Sequence, residues 1–177
     1  MAWPRRGGRE QLADDPRLVA RLPPGERLLA AASTESRTDP GEEPREVVGG
    51  SALALYLPGG VVLGWHEIEQ ATWHLDESRL DVSTLPIDGP ARSYQIHLPE
   101  PGRLPELVRE RVTSSIVVNQ HVPLVGRRGV KIIARRVPEN HELDWIVVYD
   151  PTVDGDDPAV RQRVLEAVDL LRRNLGI

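Results

Sequence analysis

The sequence predicts an α+β fold: an antiparallel, barrel-like sheet of six strands, an amphipathic helix after them, then a hairpin and a C-terminal helix. Three observations carry this expectation. Apolar and polar residues alternate with period two through most of residues 51–98, apolar residues recur at helical spacing over 103–120, and a capped helical stripe closes the chain at 157–175. At 177 residues the length suits one domain, about 70% of whose unfolded surface can be buried. The expected organisation is an N-terminal extension at 1–22 and a single domain at 23–177, in which 23–120 form the core and 122–177 add the hairpin and last helix.

The elements follow in order. Residues 1–22 begin with a basic patch, Arg5, Arg6 and Arg9, then place Leu12, Leu18, Val19 and Leu22 at loosely helical spacing, which predicts a short helix. Leu28–Ala32 reads as a first strand, and Thr34–Gly50, with its prolines, glycines and acids, as a long polar loop. Ser51–Leu57 alternates, with Leu53, Leu55 and Leu57 on one face and Ala52, Ala54 and Tyr56 on the other. Pro58-Gly59-Gly60 then supplies a turn suited to positive φ, and Val61–Trp65 completes a hairpin. Ile68, Ala71, Trp73 and Leu75 lead through Asp76–Ser78 to Leu80, Val82 and Thr84, a second hairpin, and Tyr94, Ile96 and Leu98 mark a further strand. Leu104, Leu107, Val108, Val112 and Ile116 form the stripe of an amphipathic helix ending near Gln120. Val130–Val137 and Leu143–Tyr149 make a hairpin turning near Asn140. Asp157 and Pro158 are an N-cap and first-turn pair for a helix whose stripe runs through Val160, Val164, Ala167, Val168, Leu171 and Leu175 to Gly176.

Composition narrows the chemistry. The 22 basic and 27 acidic side chains leave a formal charge of −5, so general attraction to polyphosphate is not expected. The absence of cysteine excludes disulfides, a thiolate nucleophile and cysteine zinc sites. No apolar run approaches the ~20 residues of a membrane span, and the N-terminus lacks the apolar stretch of a secretory signal, so a cytoplasmic protein is expected. With no phenylalanine, the aromatic core falls to Trp65, Trp73, Trp145 and the tyrosines.

Few residues point to catalysis. The acidic run Asp150–Asp157 lacks calcium-loop spacing, because Thr152 stands at its third position and Arg161 at its twelfth; turn and cap chemistry is expected instead. His74 and His97 lie opposite the apolar alternation as solvated or edge histidines, and His121 is expected at a helix end. His141-Glu-Leu-Asp-Trp145 departs from the zinc-protease pattern at its fifth residue. Ser114 and Ser115 fall inside a predicted helix, where hydroxyls bond back to the preceding turn. No G-x-S-x-G, P-loop or dinucleotide fingerprint occurs. One basic cluster, Arg127, Arg128, Lys131, Arg135 and Arg136, has the composition of an anion or partner contact. Strand geometry puts Lys131 and Arg135 on one face and Arg136 on the other.

Leu28–Ala32, Tyr56, Trp65-His-Glu-Ile68 and Trp73, set in hairpins followed by an amphipathic helix, give residues 23–120 a pattern that resembles the bacterial pleckstrin-homology-like domains of uncharacterised actinobacterial proteins. That resemblance implies a bent barrel whose open end is plugged by a helix. In eukaryotic relatives a basic first hairpin holds inositol phosphates. The corresponding stretch here carries Glu35, Arg37, Asp39, Glu42, Glu43, Arg45 and Glu46, which is 2 − 5 = −3, so phosphoinositide binding is disfavoured. The expected function is a non-enzymatic module that binds a protein or peptide, with no cofactor and no metal. Two alternatives stand behind it: association with anionic membrane or nucleic acid through the arginine patches, and a small-molecule enzyme. A pocket in which His121 or another histidine meets a carboxylate at hydrogen-bond distance, beside a shifted pKa, would sink the non-enzymatic reading.

Overall fold

A computed structural model of the chain describes residues 15–34, 46–87 and 89–177. The expected basic patch at Arg5, Arg6 and Arg9 and most of the acidic stretch at 35–45 lie outside the described residues. The chain divides into two compact units. One comprises the described residues up to Ser115 together with Val137–His141, the other Ile116–Arg136 and Glu142–Ile177.

The first unit opens with α1 (Pro16–Val19), whose Leu18 is buried. Strands β1 (Ala30–Ser33), β2 (Val47–Gly50), β3 (Ala54–Tyr56) and β4 (Val62–Gly64) form one antiparallel sheet in that order. Strands β5 (Ile68–His74), β6 (Arg79–Thr84) and β7 (Ser93–His97) form a second. Helix α2 (Leu104–Ser115) places Leu104, Val108 and Val112 in the core with Trp65, Leu80 and Ile96. The indole N–H of Trp65 donates to the Ser51 carbonyl at 3.2 Å, so this buried ring keeps its polar atom paired.

The expected barrel-like closure is corrected: among the described residues these are two open sheets, and no closed barrel forms. The hydrogen-bond ladder stops between β4 and β5, where the Gly64 N–H donates to the Glu67 carboxylate at 2.6 Å and the Glu67 N–H returns to the Gly64 carbonyl at 2.9 Å. That local turn replaces the continuous bend a barrel wall requires. The expected loop at 34–50 is also corrected, since it contains β2 in register with β1. Gly49 and Gly50 look like turn residues, yet they serve close packing. A Cβ on Gly49 would meet Leu18 and Leu28 methyl groups at 2.8 Å, and one on Gly50 would meet Leu107 at 2.8 Å. In β3 the alternation starts only at Ala54, because the Ser51 hydroxyl accepts from the N–H groups of Leu53 and Ala54 in a turn. Both faces of β3 are then buried, Leu55 facing one cluster and Ala54 and Tyr56 the other, with Leu53 packed beside the latter. Gly59 and Gly60 have the positive φ their turn predicted, 67° and 80°.

The predicted helix at 103–120 is shorter than expected. It ends at Ser115, and Ile116 begins β8 (Ile116–Val125). The β-branched run Ile116–Val118 favours extended backbone over another helical turn. The hydroxyls of Ser114 and Ser115 bond back to the carbonyls of Arg111 and Val112 at 3.0 and 2.8 Å. In the second unit β8, β9 (Arg128–Arg136) and β10 (Leu143–Tyr149) form an antiparallel sheet with β9 central, so the expected hairpin is the second half of a three-stranded sheet. Helix α3 (Pro158–Leu175) packs Val164 on Leu124, Val130 and Ile132. Asp157 caps it by accepting from the Ala159 N–H at 2.8 Å, and Gly176 closes it at φ 77°.

Candidate functional site

The sheet β5–β6–β7 has two chemically opposite faces. Ala71, Trp73, Leu80, Val82, Tyr94 and Ile96 turn to the core. The other face is a register of polar side chains in three rows: Gln70, Ser83 and Ser93; Thr72, Asp81 and Gln95; His74, Arg79 and His97. The period-two pattern creates this face because every second residue of each strand is polar.

Asp81 is the hub of the polar face. Its carboxylate accepts from Arg79 through Nε at 2.8 Å and Nη2 at 3.2 Å, and it lies 3.0 Å from His74 Nε2. Arg79 also bridges to Glu77 at the hairpin turn. The Arg79 guanidinium hydrogen-bonded to Asp81 holds that carboxyl below the ordinary carboxylate value, and Asp81 in turn raises Arg79. A histidine thus meets a carboxylate beside a shifted pKa, in a groove of about 440 Å³ lined among others by Gln70, Thr72 and Ser93. The shift runs toward a fixed anion, which does not suit a general acid at neutral pH but does suit a carboxylate that orients a histidine. A triad would also require a hydroxyl on His74. Ser83 and Ser93 lie two rows away, about 13 Å along the strands at the usual strand rise. Thr72, the nearest hydroxyl in the register, accepts from Gln70 at 3.2 Å.

The second feature is the edge at β7, which among the described residues pairs only with β6. Thr84 N–H donates to the Arg92 carbonyl at 2.9 Å and Leu98 N–H to the Ser78 carbonyl at 2.7 Å. In an antiparallel ladder this phasing sends the backbone groups of Tyr94 and Ile96 to β6 and those of Ser93 and Gln95 outward. A second groove, about 450 Å³, runs beside this edge, with Thr34, Glu46, Leu57 and Pro58 opposite β7. Ser93, Tyr94 and Gln95 line both grooves, so the two meet at this strand.

The sequence-predicted contact residues lie elsewhere, in the second unit. Arg127 and Arg128 are exposed at the β8–β9 turn, where Arg128 donates to the Thr152 hydroxyl at 3.4 Å. Lys131 is half-buried, Arg136 exposed, and Arg135 only 2% exposed. The cluster's accessible charge is therefore carried chiefly by Arg127, Arg128 and Arg136. His121 is corrected from a helix end to the middle of β8, opposite Lys131, with Nε2 3.6 Å from Asp150. Asp150 accepts from the Gly129 N–H at 2.6 Å, and Asp154 from the Asp156 N–H at 2.9 Å, the turn chemistry expected of that acidic run.

Sequence reasoning missed the Asp81 hub and the β7 edge. Arg79 and Asp81 at i, i+2 on one strand, with His74 across the hairpin, was a readable signal. No family model matches the chain, and no curated protein or solved structure matches it. No helix among the described residues is long and apolar enough to cross a membrane.

Proposed function

We propose that this protein is a non-enzymatic interaction module that binds an extended protein or peptide segment by adding it to the outer edge of β7. The carrying observation is the outward backbone of Ser93 and Gln95 beside a groove with apolar walls at Leu57, Pro58 and Ile96. Main-chain hydrogen bonds to an open edge supply affinity, and pockets for alternate side chains supply selection. The reading includes a pleckstrin-homology-like scaffold in the first unit, supported by hairpin strands followed by a helix with Leu104, Val108 and Val112 in the core. It assigns the protein to the cytoplasm and gives it no cofactor.

A second reading, an enzyme acting on a small molecule, draws on the His74–Asp81 contact. The lack of a hydroxyl beside His74 in the register weighs against it. Anion association through Arg127, Arg128, Lys131, Arg135 and Arg136 loses strength with Arg135 in the interior. It predicts steep loss of binding to phosphatidylserine vesicles or DNA as salt rises.

Gln95→Pro tests the edge. Proline there removes an outward N–H that the β6 ladder does not use, and it fills the space an added strand would take. Random-peptide display on the wild type is expected to enrich extended sequences that slow amide exchange at Ser93 and Gln95. The variant, with its circular dichroism spectrum unchanged, is expected to lose them. Equal enrichment on both proteins contradicts the proposal.

A further inference from the structure

We infer that this protein pairs with a second copy of itself through β10, the two strands joining antiparallel across a two-fold axis with their α3 helices side by side. This is independent of the β7 reading and concerns the second unit alone. Among the described residues its sheet ends in β8 on one side and β10 on the other. Folds that leave an edge free blunt it with proline, polar side chains and bulges. β8 has all three: Pro123 stands within it, Asn119, Gln120 and His121 are exposed, and its register with β9 shifts after Ile116 and again after Pro123. β10 has no such device. Its seven residues hold one uninterrupted register, and Trp145-Ile-Val-Val-Tyr149 is uncharged, apolar and only half-buried. The acids at its ends have places within the chain, Asp144 opposite Arg135 and Asp150 accepting from the Gly129 N–H at 2.6 Å. The Asp150 N–H donates to the Gly129 carbonyl at 3.0 Å, a phasing that turns the backbone of Ile146 and Val148 to β9 and that of Trp145, Val147 and Tyr149 outward.

The layer above the sheet identifies the occupant. α3 runs back along β10: a Cβ on Gly155 would meet the Tyr149 ring at 3.3 Å, and the Arg172 guanidinium lies 5.3 Å from the centre of the Trp145 ring. Leu165 precedes Arg172 by two helical turns, so it shares that side of the helix, alongside the middle of β10, and it is 60% exposed. The opposite side is marked by Arg163, which donates to the Leu124 carbonyl of β8 at 2.6 Å. A lone peptide strand would pair with β10 and leave Leu165 in water. A second copy brings its own helix. Across a two-fold axis Leu165 meets its counterpart, and Arg161, one turn before it, comes beside the partner's Asp169, one turn after. Within one chain Arg161 bridges to Asp156, itself 91% exposed. Apolar surface and charge on this side are thus self-complementary, as a two-fold contact requires.

Sedimentation equilibrium of the full chain is expected to give twice the chain mass of 19.7 kDa, with the Trp145, Val147 and Tyr149 amides protected from exchange. Leu165→Glu, at a site open to water in the single chain, should weaken pairing by about tenfold or more with the circular dichroism spectrum unchanged. Val147→Pro removes an outward N–H and should yield monomers. Asp169→Arg should weaken pairing about fivefold, and adding Arg161→Asp should restore it. A wild-type chain that stays monomeric up to its solubility limit overturns the inference. So does a dimer that Leu165→Glu leaves intact and in which those three amides exchange freely.

Discussion

The two three-stranded sheets share a plan and differ in what their alternation does. In β5–β6–β7 every second residue is polar, so one face builds the core and the other stays wet around Asp81. In β8–β9–β10 the central strand is buried on both faces: Val130 and Ile132 are 0% exposed on one, and Ile133 and Arg135 are 1% and 2% exposed on the other. A cation in an alternating strand therefore does not by itself mark a solvated face. Arg79 sits on open polar surface with Asp81 two residues along its own strand, while Arg135 lies in the interior with Asp144 as its register partner.

Substitutions can break this comparison, and the largest effects should come from the cores. Leu80→Ala and Ile132→Ala, each removing a side chain at most 1% exposed, should each cost about 2–5 kcal/mol in denaturant unfolding. Separate transitions for the two variants would indicate that each sheet belongs to its own cooperative unit. Gly129→Ala should cost roughly 1–3 kcal/mol or more, since its Cβ would meet the Val122 carbonyl oxygen at 2.0 Å and the obstruction is backbone. Asp157→Ala removes the cap of α3 and should lower stability by about 1 kcal/mol without altering amide shifts in β5–β7.

The smallest expected effect concerns pH. Asp81 is held below its ordinary value of 3.8, chiefly by its hydrogen bonds to Arg79. Its contribution to stability is therefore present above the unfolded value and lost as pH falls through the lower folded value. Urea midpoints measured from pH 5 down to pH 2 should fall less steeply in Arg79→Met than in the wild type. Parallel acid limbs would mean that the ion pair on this exposed face contributes nothing measurable.

Much of this was legible locally. The hairpins through β3–β4 and β5–β6, the stripe and cap of α3, and the burial of Trp65 follow from period, turn residues and capping chemistry. What escaped depends on tertiary neighbours. Gly49 and Gly50 read as the end of a long loop because nothing local reveals the Leu18, Leu28 and Leu107 methyl groups that demand their missing side chains. Ile116–Val118 continued a helical stripe, while the partner that makes it a strand, β9, lies farther along the chain. The candidate site was half readable: the polar residues of β5–β7 stand in plain alternation, but an open edge is a property of what pairs with what. The arginines at 127–136 drew attention as a charge cluster, and burial of Arg135 divides them.

Residue-resolved amide exchange across Ser93–His97, with and without an extended peptide enriched by display, tests the edge most directly. Tyr94 and Ile96 should be protected in the free protein, whereas Ser93 and Gln95 exchange near intrinsic rates and become protected when the peptide is added. Strong protection of Ser93 and Gln95 in the free protein would mean that the edge is already covered, and would contradict the account.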